Sequence, residues 1–176
     1  MGTWNTRGLR GQTLEEMINV TIEKYRESRI ALIQKIPTPI KPIEINHSTR
    51  QITLAYFEQK STVDYIGVVQ GIPVCFDAKE CTKDTFPIAN IHKHQVEFMR
   101  EFEEQGGISF IVLYFSQKDE LYYIPFKDID FFYRRAEEVG RKSFRYDEID
   151  LTQKIGNKGV PVHFLENIKI DLARRN

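Results

Sequence analysis

The stretch Ser61–Glu80, STVDYIGVVQGIPVCFDAKE, leaves this chain little choice of local structure. Two apolar runs, Tyr65–Val69 and Ile72–Phe76, are rich in β-branched and aromatic residues, and Gln70-Gly71 between them suits a tight turn. That pattern predicts a β-hairpin. Asp64 stands just before the first strand; Asp77 ends the second, and Lys79 follows on the same side of an extended chain. A hairpin of this length brings Asp77 back to the end of the sheet where Asp64 lies, so two carboxylates and an ammonium converge. Such a carboxylate pair can hold one or two Mg²⁺ ions, which want hard oxygen ligands. A metal held there acidifies water and steadies charge growing on a phosphate, while a lysine can stabilise a pentavalent phosphorus or orient and deprotonate the water. The same spacing also fits charges simply solvated at strand ends, and the residues alone leave both readings open.

The rest of the chain is long enough for one domain with a substantial core, at 176 residues. Apolar residues at 41% and charged residues at 28% predict a folded, soluble protein, and the zero formal net charge argues against a surface coated in nucleic acid while allowing local basic patches. Cys75 and Cys81 fit neither a zinc motif nor a CxxC redox motif, and Cys75 reads as a small core residue. No secretory h-region opens the chain and no run reaches transmembrane length, so a cytoplasmic location is expected.

Residues 1–12 read as a flexible lead-in in which Arg7 and Arg10 are candidate phosphate contacts or solvated charges. Thr13 and Glu16 fit a capping box opening a helix whose stripe is Leu14, Met17, Ile18, Thr21, Ile22 and Tyr25, ending near Ser28. Glu15 either points toward the site end of the sheet or is a first-turn carboxylate favoured by the helix dipole. Arg29–Ile36 predicts a strand. Pro37, Pro39 and Pro42 then exclude an interior helix and disfavour a central strand. Ile43–Ile45 and Ile52–Phe57 are extended candidates flanking a turn at 46–50, so the insert 37–60 predicts a projecting arm. It is mildly basic, with Lys41, Arg50 and Lys60 against Glu44 and Glu58. Such an arm suits a nucleic-acid groove or branch point, or equally a dimer contact, and Tyr56 and Phe57 either stack on bases or pack.

Glu80–Pro87 reads as a loop carrying Lys83, followed by a helix from about Ile88 or Asn90 to Glu104, with Asn90 a candidate cap. Its face is Ile91, Gln95, Phe98, Met99 and Phe102; the polar Gln95 either fills a satisfied place at the core edge or reaches a metal through the ion's water. His92 and His94 do not share a helix face, which argues against a metal pair, though one is a candidate phosphate contact. Gly106-Gly107 ends the helix. ISFIVLYF (Ile108–Phe115) predicts a central strand, Leu121–Ile124 pairs with it, and 126–139 contains a helix. Residues 134–145 form a second basic patch, 146–160 a loop, and Val160–Phe164 a short strand. The fold class is α/β, a mixed central sheet with helices packed on it.

At this point the chain resembles a known family. A helix with Glu, a strand, Asp, a strand with Asp-x-Lys and a further helix look like the PD-(D/E)xK nuclease core, which has a restriction-endonuclease-like sheet. More narrowly, the sequence is similar to the RecU Holliday junction resolvases of Gram-positive bacteria. The matching segments are Arg7–Glu16, IPTPI (Ile36–Ile40), AYFEQKSTVDYIGV (Ala55–Val68), FDAKE (Phe76–Glu80), FPIANIHKHQVEFM (Phe86–Met99), GGISFIV (Gly106–Val112) and GRKSFRYDEI (Gly140–Ile149). The resemblance implies Mg²⁺ held at Thr62, Asp64, Asp77 and Gln95, with Mn²⁺ able to substitute. It implies a transition-state-stabilising role for Lys79 and a helix carboxylate at Glu15. It also makes the insert a stalk whose DNA contacts include Arg50 and Lys60. Arg7 and Arg10 in the lead-in and Lys83 in the loop after the hairpin are further DNA-binding candidates read from the residues themselves. Two departures stand out: Asp77 replaces the glutamate of the best-known members, and the basic N-terminal tail is shorter.

The resemblance therefore implies a cytoplasmic, homodimeric endonuclease that cuts four-way DNA junctions in recombination and repair, leaving 5′-phosphate and 3′-hydroxyl ends, and that meets recombinase or branch-migration proteins. The domain expectation is a flexible segment 1–12 and a nuclease domain 13–176 with the stalk inserted at 37–60. The alternatives are a noncatalytic junction-binding or recombinase-modulating protein, a related duplex endonuclease, and a structural dimer whose arm serves assembly.

Overall fold

Thr13 and Glu16 cap one another as the sequence predicts: the Thr13 N–H donates to Glu16 Oε2 at 2.9 Å and the Glu16 N–H to Thr13 Oγ1 at 3.3 Å. From this start helix α1 runs Leu14–Glu27 and buries Leu14, Met17, Ile18, Thr21, Ile22 and Tyr25, the stripe that the spacing picks out. The computed structural model describes residues 13–57 and 62–175. The lead-in 1–12, with Arg7 and Arg10, and the end of the insert, with Lys60, lie outside the described residues.

The central sheet has the order β1-β4-β5-β7-β8. Strands β1 (Ala31–Lys35), β4 (Tyr65–Val69) and β5 (Ile72–Cys81) are antiparallel in turn, β7 (Ile108–Phe115) lies parallel to β5, and β8 (Glu120–Pro125) closes antiparallel on β7. The β4–β5 turn is tight because Gln70 and Gly71 both take positive φ, 48° and 88°, the backbone that two-residue hairpins favour. The mixed sheet matches the expected class. One face packs on α1 through Val74, Phe76, Phe110 and Tyr123, and the ring of Phe164 joins that layer. The opposite face packs on α2 (Lys93–Glu104) and α3 (Phe126–Glu138) through Cys75, Ile111, Leu113, Met99, Ile129 and Phe132.

The insert forms a separate two-stranded ribbon, β2 (Ile40–Asn46) against β3 (Gln51–Phe57), with irregular register around Pro42 and Glu44. Among the described residues it pairs with no other strand, and apart from the half-buried Ala55 all its strand residues are exposed. Arg50 sits at its tip with φ 55°.

Four expectations need correction. The segment after Asp77 is not a loop from Glu80: β5 continues to Cys81, and β6 (Thr85–Pro87) pairs with β9 (Ser143–Arg145), a contact between distant segments that local pattern does not reveal. Helix α2 begins at Lys93 with His92 as its cap; Asn90 instead ends a short 3-10 turn, Ile88–Asn90. Residues 160–164 form no regular strand, and α4 follows at Leu165–Ala173. Phe164 and Ile168 seal the core from there, while Ile170 faces outward at 37% exposure. The second basic patch is largely neutralised: Arg135 and Arg141 both hold Glu148, Arg134 holds Asp130, and Arg145 holds Asp147. Among the described residues no helix is long and apolar enough to cross a membrane.

Candidate active site

Strand lengths create the site. β4 starts at Tyr65, opposite Phe76, so β5 outruns it by the segment Asp77–Cys81. Asp64 fills the first vacancy beyond the ladder. Its N–H donates to Asp77 Oδ1 at 2.9 Å, and its own Oδ2 accepts from the Ala78 N–H at 3.0 Å. The end of β1 holds the same residue, since the Ile36 N–H donates to the Asp64 carbonyl at 2.8 Å. Side-chain and backbone groups thus interlock two carboxylates at a strand end, which an alternating pattern predicts only as proximity.

Asp77 is fully buried. It alternates with Cys75, whose Sγ contacts Ser109 Oγ at 3.2 Å under α2, so Asp77 and Lys79 lie on the α2 face of the sheet. Lys79 Nζ stands 2.7 Å from Asp77 Oδ2, with a side chain 18% exposed. Asp77 Oδ2 is thus buried against a cation. Burial pushes the Asp77 carboxyl up to about 7, the Asp64 charge adds to the rise, and Lys79 opposes it.

The pair fits a hard divalent cation. A buried carboxylate oxygen beside a second carboxylate, whose charge raises the first carboxyl as burial does, is a donor set such an ion satisfies. Among the described residues no cluster of three or more His, Cys, Asp or Glu side chains is assembled.

The remaining expected site residues make no direct contact with Asp77 or Lys79 among the bonds described. Glu15 is exposed and pairs with Lys35, the last residue of β1, whose register partner is Tyr65. The Tyr65 phenol is raised by burial first and then by the charges of Glu15 and Asp64, which puts both carboxylates in its neighbourhood. Gln95 is 5% exposed on α2, the helix covering the Asp77 face, and its Oε1 accepts from the His92 N–H at 3.0 Å. Gln95 is therefore a helix-start residue in contact with its own cap, and no contact joins it directly to Asp77 among the bonds described. Thr62 is half-buried two residues before Asp64. Lys83 is exposed in the turn after β5, and Arg50 lies on the ribbon. Sequence reasoning missed the Lys35–Glu15 pair and the capping role of Gln95. The second had a signal, because Gln95 stands three residues after His92, the N3 place of a capping box.

A mixed-sheet α/β protein with an interlocked Asp–Asp–Lys corner is the class that fold and site define. The profile of the family RecU, Recombination protein U, matches residues 9–170. The Holliday junction resolvase RecU of Bacillus pumilus is 42% identical over 80% of this chain and 69% of its own length. That of Oceanobacillus iheyensis is 37% identical over 90% of this chain and 81% of its own. The Staphylococcus aureus protein of the same name is 41% identical over 81% of this chain and 70% of its own. The chain belongs to the RecU family. A solved structure of Archaeoglobus fulgidus Hjc, a Holliday junction resolvase, covers 62% of this chain and 72% of its own at 9% identity and a TM-score of 0.37, a likeness too slight to bear on the fold.

Proposed function

We propose that the protein is a Mg²⁺-dependent endonuclease that resolves four-way DNA junctions. The observation that carries this is the interlocked Asp64–Asp77 pair with Lys79 at 2.7 Å, in a chain of the RecU family. Asp64 and Asp77 are the residues to hold the metal, with Thr62 and Gln95 as neutral oxygen donors at its margin. A bound Mg²⁺ supplies an acidified water and neutralises charge at the phosphorus. Lys79 then offsets the charge that develops on the phosphoryl oxygens and orients the attacking water. Ala78 and Ile36, through their amides, fix Asp64 so that the carboxylates need no rearrangement. Glu15, paired with Lys35 at the end of β1, is the helix carboxylate of this reading.

In this reading the fold is a PD-(D/E)xK nuclease core working in the cytoplasm. Products carry 5′-phosphate and 3′-hydroxyl ends, two subunits supply paired incisions, and the β2–β3 ribbon is a stalk entering the branch point with Arg50 near its tip. Selectivity then comes from branch geometry rather than base contacts. Aspartate at 77 in place of glutamate is compatible with this chemistry, because the Asp64 N–H and Lys79 both reach its shorter side chain.

The test is cleavage of a labelled four-way junction beside linear duplex, in Mg²⁺ and in EDTA, with Asp77→Asn in parallel. Symmetric nicking of the junction alone, lost in EDTA and in the variant, supports the reading. Tight junction binding without cleavage in Mg²⁺ or Mn²⁺ sinks the enzyme and leaves a junction-binding protein. Equal cleavage of linear duplex leaves a general duplex endonuclease.

A further inference from the structure

β5 does not stop at the site. After Cys81 the chain turns through Thr82–Asp84 and enters β6, whose antiparallel partner is β9. The Ile88 N–H donates to the Lys142 carbonyl at 3.0 Å and the Tyr146 N–H to the Asp84 carbonyl at 2.7 Å, so the pairing is extended at both ends. This small sheet leads directly from Lys79 to the start of α2 and forms a shelf with Lys83 near one end and Lys142 at the other.

The charges of the shelf are unevenly spent. Asp84 is held by Lys118 at 3.1 Å, Asp147 by Arg145 at 3.0 Å, and Glu148 by Arg135 at 2.6 Å and Arg141 at 2.5 Å. Lys83 and Lys142 are exposed and, among the described residues, have no ion-pair partner. Beside Lys142 lies an open depression of about 330 Å³ that also takes in His92, Lys93 and Tyr133, with Glu137 its one acid. Lys93 is committed only to an exposed pair with Glu97 at 3.6 Å, which is worth little and opens readily.

We propose that the β6–β9 shelf is a second DNA-backbone contact, in which Lys83 and Lys142 each neutralise a phosphate of the duplex arm whose scissile bond lies at Lys79. This rests on the reading of the chain as a DNA junction nuclease. Reach supports it: Lys83 is four residue steps on from Lys79, so their Cα atoms are at most about 14 Å apart. That is comparable with the roughly 12 Å width of a major groove. An arm held at Lys79 by one strand therefore presents further phosphates to the shelf. The chemistry selects the phosphodiester backbone and not bases, since ammonium groups on flexible stems give charge without base-edge geometry.

The experiment is equilibrium binding of a labelled four-way junction in EDTA, which prevents turnover, across a salt series. Wild type is compared with Lys83→Gln, Lys142→Gln, the double variant, and Lys169→Gln on α4 as an exposed control. Each shelf substitution should lower the slope of log K against log salt by about 0.9, and the pair by about 1.8, with Lys169→Gln unchanged. Lys83→Arg and Lys142→Arg should restore the wild-type slope, which separates a charge contact from any change in folding. Wild-type binding with the same slope in both glutamine variants overturns the shelf and leaves the junction reading intact. No junction binding by wild type at low salt overturns both.

Discussion

Asp77 carries its charge at a cost to the metal-free fold. Its carboxyl sits near 7 in the folded chain against an ordinary value of 3.8, so the folded state keeps a proton over the interval between them that the unfolded state has released. Stability therefore falls as pH rises from about 4 toward 7. In EDTA, Asp77→Asn should melt several degrees above wild type at pH 8, with the gain vanishing near pH 4; an equal gain at both pH values would contradict the account. If Asp77 receives Mg²⁺ as proposed, the ion should raise the wild-type melting temperature most at pH 8, where that carboxylate is charged, and should have little effect on the variant. At this scale the sequence was informative where period did the work. Asp64, Asp77 and Lys79 could be placed together because a hairpin turn and a two-residue repeat fix which ends and faces meet. Lys35 with Glu15 could not, because nothing local says that the end of β1 lies beside the first turn of α1.

Elements are held near the site by contacts that tolerate little change. At Gly67, in β4, an added Cβ would lie 2.2 Å from the Leu32 carbonyl oxygen and 2.6 Å from Ile33 Cα, both backbone atoms of β1. Gly67→Ala should therefore part β1 from β4 and destabilise by about 1–3 kcal/mol, read as a lower urea midpoint. It should also weaken Mg²⁺ binding, since the Ile36 amide that holds Asp64 belongs to the displaced segment. A change of less than about 0.5 kcal/mol would show that β1 yields freely. Helix α4 is stapled differently. Arg175 bonds both oxygens of Glu103 at 2.8 Å and both of Asp171 at 3.0 Å, and Tyr123 Oη donates to Asp171 Oδ2 at 2.6 Å. Tyr123→Phe should cost about 1–3 kcal/mol, because it leaves a buried acceptor short of a donor. That staple also explains why α4 was not foreseen from the sequence. Its segment, LENIKIDLA, buries Asn167 and Asp171 along with Ile168, so the polar residues that argue against a core helix are the ones tied into it. The second basic patch misleads for the converse reason: its arginines look like an external surface until Glu148, drawn in by β9 and the turn after it, takes two of them.

Viewed as a whole, the molecule divides its labour between a body that folds and a ribbon that contributes almost nothing to the core. Ile43, Leu54, Tyr56 and Phe57 are 58%, 48%, 47% and 76% exposed, and an isolated two-stranded ribbon is marginal by itself. Proline spacing and alternation made the ribbon legible as extended chain, because both are local signals; that among the described residues it pairs with no other strand is a property of the whole fold that no local signal carries. The ends of the insert already meet at the site, where the Ile36 amide bonds the Asp64 carbonyl. Replacing residues 38–60 with a short Gly/Ser linker should thus leave the sheet, the carboxylate pair and Mg²⁺ binding in place, with the melting temperature changed by only a few degrees. If the ribbon enters the branch point, the shortened protein should lose its preference for four-way junctions over linear duplex while its remaining affinity keeps a salt dependence set by the body. Retained junction preference would move selectivity from the ribbon to the body, and collapse of the fold would mean that the exposed apolar side chains are normally covered by a second copy.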